Sequence, residues 1–247
     1  NFFLKFERVR VRKTLKKISV SNWPTISNDI VKFSLLNKQL LLKINEIFSK
    51  WVQNNMLIDN RGAIRVDFKN LQNIFEKSNL FTISIFGRIL KTVGGNEYAP
   101  KREKTLNCLK HIFSPVFKNT NLGNVKISLK KSYLFFTREN RNINFDIEII
   151  KNKKYIFDGR FFLTSKYSGN LISSEFHKFE SVKNNNPFAE CEDDINSTIP
   201  FMSTLEGATI KPYFNICNGK SHIKTNSEGK SYELSLINTT FMQALKF

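Results

Sequence analysis

Cysteine, histidine, glycine and proline are all scarce in this chain, and no long apolar run interrupts it. Three cysteines occur among 247 residues, Cys108, Cys191 and Cys217, and no two form a CxxC pair. That excludes a disulfide scaffold and a conventional zinc ribbon. The three histidines, His111, His177 and His222, are never four residues apart, which argues against a His-based metal centre. With no apolar stretch of about 18 residues, an ordinary transmembrane helix is excluded and no membrane partner is expected. GxSxG, HExxH, P-loop and GxGxxG motifs are also missing, so the chain is expected to be no enzyme and to carry no cofactor and no metal.

Positive charge is what the chain has in abundance. Lys and Arg number 39 against 21 Asp and Glu, a formal net charge of +18. The natural partner of such a surface is a polyanion. Asn (29), Lys (29), Ile (25) and Phe (24) dominate, and all four can be written with codons of A and T alone. This points to an A+T-rich genome and weakens the raw lysine count as evidence of function. The distribution of charge carries more weight. Residues 1–76 hold a net +8, residues 77–164 a net +11, and residues 165–247 a net −1. Codon drift would spread the excess evenly, so the asymmetry points to a polyanion-facing surface in the first two thirds.

Three regions follow from this division. In residues 1–76, a basic arm with Arg8, Arg10, Arg12, Lys13, Lys16 and Lys17 precedes a long amphipathic helix. Ser27 or Asn28 is expected to cap that helix, which runs from about Asp29 to Gln53 with apolar positions Ile30, Phe33, Leu40, Leu41, Ile44, Ile47, Phe48 and Trp51 at spacings of three and four. That face is a packing face for the rest of the protein or for a neighbour. "AIRVDF" then alternates as a strand. In residues 77–164, "LFTISIF" and "ILKTV" read as two arms of a hairpin turning at Gly87–Arg88. A helix over "KREKTLNCLKHIFSPVFK" and a strand over "VKISLK" follow, with a short helix near Thr137–Ile143. A closing strand pair, "FDIEII" and "KYIF", completes the block. The fold class expected is α/β, a mixed sheet with covering helices, a helical N-terminal extension and a β-rich C-terminal extension. In residues 165–247, "SVKNNNPFAECEDDINSTIP" reads as a polar surface excursion. "KPYFNICNGKSHIKTNSEGKSYELSLI" reads as a β-hairpin or meander turning at Asn218–Gly219 and Ser227–Gly229.

The candidate site is a basic rim. Lys101, Arg102 and Lys104 open the central helix just after Gly94–Gly95, where backbone amides and nearby cations together suit a phosphate. Arg88 at the hairpin turn, Lys130 and Lys131 at the end of the next strand, then Arg138 and Arg141, are brought to the same rim if the strands and helix pack as read. Three weaker chemical signals compete. Asp146, Glu148 and Lys151 form a D-x-E-x-x-K cluster of the kind a metal-dependent nuclease uses, although residues two apart on a strand share a face whether or not they do chemistry. Cys108 is expected to be a small apolar filler. Glu190–Asp194 is an acidic run better read as a solvated loop than as a cation site.

In this order, "NLFTISIFGRILKTVGG", "KREKT", "LGNVKISLKKSYLFFTREN" and "FDIEIIKNKKYIFDGR" resemble the ribosomal protein S-eleven family of the small subunit, over about Ser78–Arg160. The family's glycine-rich loop is replaced by "KSYLFF" and its basic tail is absent. The resemblance implies an rRNA-facing role for Gly94, Gly95, Lys101, Arg102, Lys104, Lys130, Arg138, Gly159 and Arg160. It also implies a place on the small-subunit platform and no enzymatic activity. With the A+T bias, the expectation is a structural protein of a mitochondrial ribosome, located in the matrix. Its partners would be small-subunit rRNA and, through residues 165–247, neighbouring ribosomal proteins. The alternative is a viral or plasmid single-stranded nucleic-acid-binding or replication protein, with Phe and Tyr stacking on bases.

Overall fold

Helix-forming periodicity governs the first fifty residues. In the computed structural model, which describes residues 2–21, 23–173, 186–205, 209–214 and 231–236, the basic arm is a helix, α1 (Phe2–Ser21). A short turn leads to α2 (Ile26–Asn55). This helix begins ahead of the expected cap because Asp29 is satisfied from the preceding turn. Its Oδ2 accepts Thr25 Oγ1 at 2.6 Å and Trp23 Nε1 at 2.8 Å. Those hydrogen bonds hold the Asp29 carboxyl below the usual carboxylate range. The chain divides into two compact units, Asn1–Lys50 and Trp51–Phe247, and α2 runs across the boundary.

The second unit carries two sheets. β1 (Met56–Ile58) and β2 (Ile64–Asp67) lead into α3 (Phe68–Lys77), α4 (Asn79–Val93) and α5 (Arg102–Ile112). β3 (Asn119–Leu122), β4 (Val125–Lys130) and β5 (Tyr133–Arg138) follow. These five strands form one antiparallel sheet in the order β1-β2-β5-β4-β3. Every described side chain of β5 beyond Tyr133 is buried, because the sheet is covered on both faces. Phe136 meets Phe86 of α4 on one face, with ring centroids 5.4 Å apart. Its neighbour Phe135 meets Phe188 on the other, at 6.2 Å. The second cover is the segment around Phe188, with a 3-10 turn at Ala189–Cys191 and α6 (Glu192–Asn196), whose Cys191 and Ile195 pack beside Phe135 and Ala63.

The other sheet has seven strands. They are β6 (Glu148–Ile149), β7 (Lys154–Phe157), β8 (Phe161–Thr164), β9 (Gly169–Ile172), β10 (Phe201–Thr204), β11 (Thr209–Phe214) and β12 (Ser231–Leu236), ordered β6-β9-β10-β11-β12-β8-β7. Its core gathers Ile149, Phe157, Phe161, Leu163, Leu171, Ile199 and Met202. The pairing of β8 with β12 and of β6 with β9 means that this sheet is built from both sides of residue 164. The near-neutral C-terminal third therefore supplies strands to the same sheet as the basic block.

The mixed α/β class and the strand over Val125–Lys130 are as expected from sequence, and the central helix appears as α5. Several local expectations are corrected. "LFTISIF" and "ILKTV" are one helix, α4, not a hairpin. Ser78 caps it, its hydroxyl accepting the Phe81 N–H at 3.4 Å. Ile83, Phe86, Ile89, Leu90 and Val93 are buried at spacings of three and four, a period that outweighs the short alternation seen in the first arm. Gly87–Arg88 therefore lies mid-helix. The expected short helix near Thr137–Ile143 is the end of β5 and a turn, since β5 is held between β2 and β4. "FDIEII" and "KYIF" are not paired with each other, because β6 pairs with β9 and β7 with β8. In place of the expected hairpin near the C-terminus, β11 and β12 run parallel. The turns at Asn218–Gly219 and Ser227–Gly229 lie outside the described residues. The acidic excursion is no surface loop where it is described, since Phe188, Cys191 and Ile195 are core residues.

Candidate nucleic-acid interface

The motifs that suggested a phosphate rim do converge, but most of them converge inward. The loop after α4 (Gly94–Gly95–Asn96), the β3–β4 turn (Gly123–Asn124), the end of β5 (Arg138) and the β7–β8 turn (Asp158–Gly159–Arg160) meet at one junction between the sheets. Asn96 Nδ2 donates to the Gly123 carbonyl at 2.8 Å, and Asn124 Nδ2 donates to Asn96 Oδ1 at 3.0 Å. Gly95 and Gly159 both take positive φ, 65° and 64°, and their backbones pack directly on each other. A Cβ on Gly95 would collide with the Asp158 carbonyl oxygen, and one on Gly159 with the Gly95 carbonyl oxygen. Gly94 is equally closed, against the Gly123 carbonyl. These three glycines serve backbone-to-backbone packing, so the expected rRNA-facing role for Gly94, Gly95 and Gly159 is corrected.

Asp158 is the electrostatic centre of the junction. Its Oδ1 accepts Arg138 Nη2 at 2.9 Å, and its Oδ2 accepts Arg138 Nε at 3.0 Å and Arg160 Nε at 2.6 Å. Arg138 Nη1 also donates to the Glu139 carbonyl at 2.6 Å, and Arg160 Nη2 to the Thr198 carbonyl at 2.9 Å. Both guanidiniums are almost wholly buried, with side-chain exposures of 3% and 1%. Burial pulls the Arg160 guanidinium down to about 10, the Asp158 charge opposing this and Arg138 adding to it. It remains charged at neutral pH, so one carboxylate answers two cations in the interior. Neither arginine can reach a phosphate, and both are removed from the expected RNA-facing set.

The back face of the β4–β5 sheet neutralises a second group of cations. Lys126 and Lys130 share a face of β4. Lys126 Nζ bonds Asp194 Oδ1 at 2.8 Å, and Lys130 Nζ bonds the Glu190 carbonyl. Lys131 reaches Glu190 Oε1 at 2.7 Å, which raises the lysine above its ordinary value. Arg61 is held by Asp59, with Nε to Oδ1 at 2.8 Å, and by Glu192. Burial opposes its charge, but the hydrogen bonds to both carboxylates outweigh burial and raise it. The run Glu190–Asp194 thus pairs with the partly exposed Lys126 and Lys130, with the exposed Lys131 and with the largely buried Arg61. Sequence reasoning missed that pairing. Its only signal was the opposite charge of two segments some sixty residues apart. Lys130 is accordingly engaged by the Glu190 carbonyl, whereas Lys131 stays exposed in a surface pair with Glu190. Arg141 is exposed, 3.5 Å from Glu139.

The start of α5 differs. Lys101, Arg102 and Lys104 are all exposed, and no described carboxylate lies within ion-pair distance of any of them. Lys101 is the N-cap and makes no side-chain capping bond, so first-turn amides face outward beside three cations. Arg102 also lines a groove of about 420 Å³ between α4 and α5, with Leu80, Ile83, Ser84, Gly87, Arg88, Ala99, Pro100 and Thr105. Burial lowers the Arg88 guanidinium from its ordinary value. Arg88 is thus a wall of this groove rather than the tip of a hairpin.

In the first unit, α1 spreads its basic residues over one broad side. Arg8, Arg12 and Lys16 follow at intervals of four, with Arg10, Lys13 and Lys17 on the adjoining ridge, while Val11, Leu15 and Ile18 form the opposite stripe. Arg10, Arg12, Lys13, Lys16 and Lys17 are exposed, whereas Leu15 and Ile18 are half-buried. The Arg8 side chain lies outside the described set.

Compared with known proteins, the chain matches no family model, no curated protein and no solved structure. The nuclease cluster gains nothing from the geometry. Asp146 and Glu148 are exposed on and beside a two-residue strand, and no group of three His, Cys, Asp or Glu is disposed to hold a metal among the described residues. Cys108 is half-buried in α5, and desolvation pushes its thiol up to about 11.

Proposed function

We propose that the protein binds structured RNA by neutralising phosphates, with the start of α5 and the basic side of α1 as contact surfaces, and that it acts by binding rather than by chemistry. The observation that carries this reading is the contrast among its cations. Arg61, Lys126, Lys130, Lys131, Arg138 and Arg160 are matched to protein acceptors, whereas Lys101, Arg102 and Lys104 stand together in solvent, beyond ion-pair distance of every described carboxylate even though Glu103 lies between them in the chain. Solvated lysines scattered for solubility would not be sorted in this way. Three cations beside outward-facing amides favour phosphate over a neutral ligand.

A place in a mitochondrial small ribosomal subunit is the narrower form of the proposal. The basic helix start and the following strand support it. The strand pair that opened the resemblance does not, since that stretch is α4. Single-strand binding by stacking is less favoured. Most described Phe are core, and Trp23, Phe33 and Tyr98 are the exposed aromatic rings among the described residues with known side chains.

Crosslinking the full chain to cellular RNA and sequencing the bound species tests the reading, together with binding isotherms at several salt concentrations. The expected result is a defined structured RNA whose affinity falls steeply with salt, by a log–log slope of about 2 or more. Cosedimentation with small ribosomal particles would support the narrower form. Salt-insensitive binding, or no RNA recovered above background, would overturn the proposal.

A further inference from the structure

The surface that RNA binding leaves unused is the apolar side of α2. From Ile26 the pattern Ile26, Ile30, Phe33, Asn37, Leu40, Ile44, Ile47, Trp51 steps by four and three alternately without a break. A strict alternation of this kind is the seam of a coiled coil, narrower and more regular than the face of an ordinary covering helix. In heptad terms Ile30, Asn37, Ile44 and Trp51 occupy a, and Ile26, Phe33, Leu40 and Ile47 occupy d. In the middle of this run the d positions are open to solvent, while Asn37 and Ile44 at a are half-buried. Phe33 is 68% exposed, Leu40 55% and Ile47 57%.

We infer that α2 pairs with α2 of a second copy of this chain as a parallel, two-stranded coiled coil. Three features select this occupant. First, β-branched Ile at a with Leu at a central d favours two strands, and a lone Asn at a fixes register and strand number at some expense of stability. Asn37 is that residue. Its Nδ2 donates to the Phe33 carbonyl at 3.0 Å, which leaves its Oδ1 and its other N–H for the facing asparagine. Second, parallel pairing sets each g residue against the e residue five positions on in the second copy. Leu36 then faces Leu41 and Asp29 faces Ser34, so an apolar pair flanks the asparagines and no two like charges oppose at these positions, while Phe48, the next e position, is buried within its own chain. Third, the area suffices. Ile30, Phe33, Leu36, Leu40, Leu41 and Ile47 are each 45–68% exposed. Together they offer on the order of 700 Å² per copy, close to the roughly 800 Å² per partner of a standard stable interface.

The test uses the full chain in sedimentation equilibrium from about 1 to 100 µM, a range that brackets dissociation constants in the micromolar region. The mass should rise from the 28.8 kDa of one chain towards twice that value. Leu40→Glu, on an exposed position, should weaken association by about 100-fold or more while circular dichroism and thermal unfolding of the single chain stay close to the parent. Asn37→Ile should tighten association and admit species larger than dimers. Ile30→Cys should form an intermolecular disulfide above the background of the parent chain. In an antiparallel pair centred on Asn37 and Leu40, the same two residues would stand about 25 Å apart. A chain that stays monomeric at every concentration overturns the inference, as does a mass that Leu40→Glu leaves unchanged. A monomer that binds neutral phosphatidylcholine vesicles through this face would assign it to lipid instead. RNA affinity measured on Leu40→Glu keeps the two proposals apart. Loss of dimer with retained salt-dependent binding leaves the RNA reading intact, and loss of RNA binding in a dimeric chain leaves this one intact.

Discussion

At the start of α5, Lys101, Arg102 and Lys104 stand in solvent, and the first-turn amides beside them have no capping side chain. On the back face of the β4–β5 sheet, Lys126 and Lys130 lie beneath Asp194 and the Glu190 carbonyl. At the junction between the sheets, Arg138 and Arg160 close on Asp158. The same two residue types therefore have opposite assignments within one unit. A cation matched inside the protein is structural, because releasing it would leave a carboxylate or carbonyl buried and unpaired. A cation cluster without such a match costs little to keep in water and is available to an external polyanion. Net charge alone cannot separate the two kinds.

The largest effect is expected at the junction. Asp158→Ala leaves two buried guanidiniums without their counter-charge and should cost about 3–5 kcal/mol, read from urea unfolding of the full chain. A loss below about 1 kcal/mol would show that Arg138 and Arg160 find water or other acceptors and are not held by Asp158. Gly95→Ala should follow at about 2 kcal/mol or more, from strain at positive φ and collision with the Asp158 carbonyl. Gly87→Ala, in the helical middle of α4 where a Cβ would make ordinary contact with Ala99 at 3.5 Å, should be far milder.

Replacing Lys101, Arg102 and Lys104 together by Glu should lower RNA affinity by about 100-fold at moderate salt and flatten the salt slope by about 2. Stability should stay within about 0.5 kcal/mol of the parent. Lys126→Ala with Lys130→Ala should leave RNA affinity nearly unchanged and cost about 1 kcal/mol or less of stability, since Asp194 and Glu190 are themselves partly exposed. If both variants weaken RNA binding equally, the distinction between matched and unmatched cations fails.

The smallest effect concerns Cys108. Desolvation favours the thiol over the thiolate, so alkylation by iodoacetamide should stay slow at pH 8 and accelerate only as pH approaches about 11. The folded value lies above that of a free thiol, 9.0. The folded state therefore binds more protons between these limits, and this residue's contribution to stability is lost as pH rises through that window. Rapid labelling at pH 8 would place the thiol in water.

Periodicity over long spans was a sound guide. The three-four spacing of α2, the apolar face of α5 and the alternation of Val125–Lys130 needed nothing beyond their own residues, since each period repeats often enough to outweigh local exceptions. Short patterns misled. Five or six alternating residues in "LFTISIF" also satisfy a helix, and the choice fell to α4's partners Phe136 and its neighbouring helices. The glycine pair, the "LGN" turn, the "TRE" strand end and the "DGR" turn were all visible as motifs. Each looked like a surface device because a glycine in sequence does not say what approaches it.

The sequence by itself determined that this is a strongly basic α/β protein with one long regularly spaced helix and charge concentrated in its first two thirds. Those properties follow from composition and from periods local to the chain. Only the tertiary structure decided which cations are available. Asp158 reaches Arg138 across twenty residues and Glu192 reaches Arg61 across more than a hundred, and both matches depend on sheet packing. Electrostatic pairing depends on distance in space and on the removal of water, and neither is written in the order of the residues.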